Sequence, residues 1–155
     1  MSGLRSILSG AAAGAAGTTA LNAVTYLDMA VRARPTSSTP EDTVEKLADR
    51  AHVQIPGAGE DRDNRLAGLG PLAGIATGVG VGTLLGLARG LGWRPSPAMG
   101  AVVATVLVLI GANGPMTALG LTDPREWDLD AWLTDVVPHV VYGAVTAATL
   151  DGLDD

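Results

Sequence analysis

The sequence has no cysteine and no phenylalanine, and only five aromatic residues, three tryptophans and two tyrosines. Absence of cysteine excludes disulfides, thiolate metal sites and cysteine nucleophiles. A soluble core normally relies on large aromatic side chains, so their scarcity in a chain that is 47% hydrophobic needs another explanation. Positive charge is also in short supply: ten basic residues face sixteen acidic ones, for a formal charge of −6. A phosphate backbone requires a basic face, and none is visible, so nucleic acid is not an expected partner. Catalytic motifs are missing as well. The glycine-rich run Gly74 to Gly82 has no Lys-Ser or Lys-Thr behind it, there is no nucleophile elbow, and no His/Glu spacing suits a metal. No enzymatic activity, cofactor or metal is expected.

What the chain has instead is glycine, 21 residues of it in 155. From Gly70 to Gly90 it recurs at every fourth position, as Gly70, Gly74, Gly78, Gly82, Gly86 and Gly90. In a water-exposed helix each would cost about 1 kcal/mol relative to alanine. In a bilayer the backbone hydrogen bonds are nearly compulsory, and small residues let two helices approach until their backbones touch. The intervening residues are apolar, with no charge before Arg89. This predicts a membrane-spanning helix with a GxxxG, glycine-zipper packing face. A repeat of four on a helix of 3.6 residues per turn drifts by about 40° per step. Gly70 to Gly78 and Gly82 to Gly90 are therefore expected to face different helices.

Three more stretches have suitable length and composition. The spans are expected at 6–31, 66–93, 98–121 and 131–150, which makes an all-α, four-transmembrane-helix bundle in a single integral membrane domain of residues 1–155. The N-terminal run, Ser9 to Gly17, lacks the leucine-rich core of a signal peptide. Between the first two spans lies a polar connector, residues 32–65. Within it Thr39, Pro40, Glu41 and Asp42 spell a helix start, with Thr39 as the cap. Val44, Leu47, Ala48 and Ala51 then give a short amphipathic helix its apolar stripe. Glu60 to Arg65 reads as a solvated charge run, and Asp151 to Asp155 as an exposed acidic tail. Arg89 and Arg94 are placed to snorkel toward the interface, and Asp28 to pair with Arg32. Asn113-Gly114-Pro115 and Pro138 should kink or break their helices.

Seven of the ten basic residues lie in the first and third connectors, and three on the side of the termini. The positive-inside rule then puts the first connector in the cytoplasm of a cell whose inner membrane the protein crosses, with both termini outside.

The polar groups inside the spans are Asn22 and Thr25, Asn113, and Asp135, His139 and Tyr142. Asp135 and His139 are one helical turn apart, close enough for a carboxylate to orient an imidazole. Such a line can be a polar path for a proton or solute, with His139 as its first candidate, because ionisable groups in a span are functional candidates by default. The plainer reading is interhelical hydrogen bonding, which contributes about 0.6 to 2 kcal/mol per bond. His52, beside Arg50, reads as a surface histidine.

The stretch Gly17 to Glu41, opening Gly-Thr-Thr-Ala-Leu-Asn-Ala-Val-Thr-Tyr-Leu-Asp-Met-Ala, resembles small uncharacterised multi-pass membrane proteins of actinobacteria. His139 to Gly143, His-Val-Val-Tyr-Gly, is similar to a last-helix motif of uncharacterised bacterial inner-membrane proteins. The resemblance implies a membrane location and brings no activity. Function is therefore expected to be that of a structural or accessory subunit of a membrane assembly, or a homo-oligomer, with the lipid bilayer and other membrane subunits or itself as partners. A small channel or transporter using the polar path is the alternative.

Overall fold

The computed structural model describes residues 3–154, and among them it is all-helical. Four long helices, α1 (Gly3–Arg32), α3 (Glu60–Gly90), α4 (Pro97–Ala118) and α5 (Leu129–Asp154), stand around one core, and a shorter α2 (Thr39–Arg50) lies between α1 and α3 in the chain. All four long helices are long and apolar enough to cross a membrane. The shortest, 22 residues, spans about 33 Å at 1.5 Å per residue. Helix α1 packs on α3 and α5, α4 packs on α5, and α3 meets α4 more lightly.

The boundaries follow local chemistry. Ser96 Oγ accepts from Met99 N at 3.3 Å, and Pro97, at the first helical position, has no N–H that needs a partner. Asp128 Oδ1 accepts from Ala131 N at 2.8 Å and caps α5. Two expected boundaries shift. The residue flanking α2 is Ser38, not Thr39, and its hydroxyl caps no backbone N–H. Glu60 to Arg65 is not a connector but the first turns of α3, where Glu60, Asp61 and Asp63 face the positive end of the helix dipole. Neither Pro115 nor Pro138 breaks its helix, and Pro71 also sits inside α3.

The close approach of α1 and α3 is made of backbone. A Cβ built on Gly82 would lie 2.5 Å from Gly10 O, Gly14 N and Gly14 Cα, and one built on Gly10 would lie 2.5 Å from Gly82 O. Facing carbonyls and Cα–H groups at this range form weak Cα–H···O contacts that any side chain would abolish. Gly86 and Gly90 continue the contact onto Ser6, and Gly78 onto Thr18. Gly70 instead meets Pro40 and Glu41 of α2, and Gly74 has no neighbour within 4 Å. The rib thus changes partner at Gly74, not between Gly78 and Gly82. Four of its glycines stay on α1 because the two backbones touch along the whole lower half of α3.

A second pattern ties all four long helices together. Thr18 of α1 fills the space over Gly78 of α3, Thr77 of α3 that over Gly111 of α4, Thr105 of α4 that over Gly143 of α5, and Thr146 of α5 that over Gly17 of α1. The cycle closes on itself. Thr18, Thr77 and Thr105 each donate to the carbonyl four residues back, at 2.8, 2.9 and 2.8 Å, so these hydroxyls are satisfied within their own helices. The apolar core, which includes Ala13, Val81, Leu85, Ala104, Val108 and Leu150, packs around this cycle.

Gly82→Ala is expected to lower stability by ~2 kcal/mol or more, because the added methyl meets backbone that cannot move aside. Gly74→Ala should leave stability unchanged or raise it by up to ~1 kcal/mol. Reversible denaturant unfolding of both variants in micelles measures the difference.

Candidate functional site

The polar groups separate into three places along the bundle. At the connector end Asp28 of α1 pairs with Arg34 Nε at 2.5 Å, and Arg32 Nη1 approaches Asp28 at 3.6 Å. Arg32 also forms an ion pair with Asp130 and donates to Thr134 Oγ1 at 3.3 Å, tying α1 to α5. Helix α2 is fastened at the same end: Arg62 of α3 pairs with Glu45, and Lys46 Nζ donates to Leu119 O just past α4 at 3.2 Å, where the negative end of a helix dipole favours a cation. Trp127 Nε1 donates to Thr122 Oγ1 at 2.7 Å, and its ring meets Trp132 edge-on at 5.1 Å. Hydrogen bonds from Arg125 hold the Asp123 carboxyl below the usual carboxylate range.

Deeper, Asn113 Nδ2 of α4 donates to Asp135 Oδ2 of α5 at 2.7 Å. His139 Nδ1 lies 2.6 Å from the backbone oxygen of Asp135 and 3.6 Å from its Oδ1. A carbonyl oxygen only accepts, so Nδ1 carries a proton in this geometry, and in a neutral ring Nε2 holds the lone pair. Deeper still, Tyr142, fully buried, donates through its hydroxyl to Gly78 O of α3 at 2.6 Å. This bond crosses the bundle at the level of the threonine–glycine cycle.

Of the six residues expected to form a polar path, the structure brings together Asn113, Asp135 and His139. Tyr142 continues the line on α5 but is bonded to backbone. Asn22 and Thr25 are half-buried on α1, and among the described residues neither is hydrogen-bonded to that cluster. No group of three or more His, Cys, Asp or Glu side chains among them is placed to hold a metal ion. Two pockets stand out, one lined by residues including Asp49, His52 and Arg62, the other by Thr117 and Gly120 to Glu126; both lie in the connectors, not between the long helices. His52 lines the first and is exposed.

At the opposite end two expectations are corrected. Arg89 does not snorkel: it is buried, 5% exposed, and its Nη2 pairs with Asp151 Oδ1 at 2.6 Å. Asp151 accordingly belongs to α5 rather than to a free tail; Asp155, the last residue of that expected tail, lies outside the described residues. Arg5 Nη2 donates to Leu153 O at 3.3 Å beside the pair. A cation this deep requires a paired anion, and the last turn of α3 places it next to the last turns of α5. The signal that could have found this pair is the isolated arginine near the end of an otherwise uncharged run.

No family model matches the chain, and no curated protein or solved structure gives a significant match.

Tyr142→Phe removes the bond to Gly78 while keeping the ring. It should cost about 0.5–1.5 kcal/mol of stability, read from unfolding in micelles, without changing helix content by circular dichroism.

Proposed function

We propose that the protein is a small integral membrane protein in which α1, α3, α4 and α5 cross the bilayer as a four-helix bundle, and that it serves as a structural or accessory subunit of a membrane assembly, alone or as a homo-oligomer. The observation that carries this reading is the backbone contact of α1 with α3. Glycine at Gly10, Gly14, Gly82 and Gly86 leaves no room for side chains and yields a rigid body rather than a lined channel. The glycine-zipper description fits this face. Helix α2 acts as an amphipathic surface helix over the connector end, clamped by Glu45 and Lys46. The excess of basic residues in the connectors supports their placement in the cytoplasm. The resemblance to actinobacterial multi-pass proteins agrees with an inner-membrane location.

A second reading, a small channel or transporter, is favoured by one observation, the Asn113–Asp135–His139 cluster within the apolar length of α4 and α5. Against a continuous path, Tyr142 closes the line on a backbone carbonyl and the glycine contacts fill the half beyond it.

The expected result is that the full chain stays with membranes through an alkaline carbonate wash and, in liposomes, passes neither protons nor small solutes above the lipid background. Recovery in the cytosolic fraction without detergent would overturn the membrane reading. Flux abolished by His139→Ala in a folded protein would replace the accessory reading with the transporter.

A further inference from the structure

The bundle is not packed equally along its length. The buried residues of α1 are Ser6, Gly10, Ala13, Gly14, Gly17 and Thr18, none of them beyond its midpoint, and those of α4 end at Val108. On α3, Pro71 to Ala76 are all exposed. Six consecutive residues make about one and two-thirds turns, so every side of α3 is open there. The helix is held above this level by α2 and below it by α1, and between them it stands away from its neighbours. The half of the bundle toward the connectors is therefore open, and the half toward the termini is closed from the threonine–glycine cycle onward.

The Asn113–Asp135–His139 cluster lies in the open half. Asp135 is about 9 Å along α5 from its first residue. Its side chain is 20% exposed, and among the described residues Asn113 is the one side chain that donates a hydrogen bond to its carboxylate. The basic groups that α1 brings near it are already matched, Arg32 to Asp130 and Arg34 to Asp28, and α4 contributes no charge. Two prolines add main-chain oxygen to the same turns. Pro115 has no N–H to offer Gly111 O, and Pro138 has none for Thr134 O. One carboxylate, one side-chain amide oxygen and two released carbonyls are hard donors that together carry a single negative charge. That set matches a monovalent cation; a divalent ion is held by more carboxylates and a soft metal by nitrogen or sulfur. Half-helix carbonyl ends beside a carboxylate are the means by which membrane proteins hold such ions.

We infer that Asp135, with Asn113 and the carbonyls of Gly111 and Thr134, forms a blind monovalent-cation site reached from the connector side and stopped by the Tyr142–Gly78 bond. His139 positions the Asp135 backbone and is not a ligand through Nδ1. The inference rests on α4 and α5 being membrane spans, which the carbonate wash tests separately.

The experiment is thermal unfolding of the full chain in micelles, titrated with sodium chloride against N-methylglucamine chloride at constant ionic strength. Sodium should raise the midpoint by several degrees and saturate. Asp135→Asn should abolish the saturable part, Asn113→Leu should weaken the apparent affinity by tenfold or more, and His139→Gln should retain it. Asp130→Asn, which removes a carboxylate at the rim, should leave the response intact. Should Asp135→Asn fail to fold, sodium-23 relaxation of the wild-type protein, with competition by thallium(I), reads the site directly. Equal midpoints in the two salts, or a saturable response that survives Asp135→Asn, would overturn the inference. A midpoint that follows pH and ignores sodium would make the cluster a proton site and overturn it as well.

Discussion

The contact on which the rest depends is the meeting of two main chains, α1 and α3, at Gly10, Gly14, Gly82 and Gly86. Between helices in lipid there is no hydrophobic drive to association, since acyl chains are as apolar as leucine. What remains is van der Waals contact and weak Cα–H···O attraction, and both grow as backbones approach. Glycine is the residue that permits the shortest approach. The absence of phenylalanine follows from the same constraint, because an interface this thin has no volume for a large ring.

The threonine–glycine cycle extends that logic to the other three interfaces. Each glycine leaves a gap, and a threonine from the adjacent helix fills it, three of the four with the hydroxyl turned back to its own helix. A β-branched side chain has one or two allowed rotamers in a helix, so little conformational entropy is lost when it docks. The central section of the bundle is thereby fixed on four sides. The charged pairs are kept to the two ends, Arg32–Asp130 at one and Arg89–Asp151 at the other.

Much of this is legible in the residues. Four apolar stretches and the six-glycine repeat are sequence features, and the all-helical fold follows from them. The Asp135–His139 spacing likewise puts both side chains on one helix face by helical geometry alone. The cycle is not legible, because it pairs residues such as Thr77 with Gly111 and Thr146 with Gly17 across helices, and helical periodicity carries no information about which neighbour a face meets. Asn22 and Thr25 show the same limit: their spacing puts them on one polar stripe of α1, yet they stay apart from the cluster on α4 and α5. Arg89 fails for a different reason. Its distance from the helix end suits snorkelling, and only the arrival of Asp151 from another helix makes its burial stable.

The absence of cysteine makes the central contact directly measurable. A Cβ on Gly90 lies 3.0 Å from Ser6 Cβ, near the separation a disulfide bridges. In native membranes, mild oxidation of the Ser6→Cys, Gly90→Cys double variant should give an intramolecular bridge and a monomer of altered mobility. Bridging only between chains, or none at all under conditions that oxidise a control pair, would contradict the packing of α1 on α3 within one molecule.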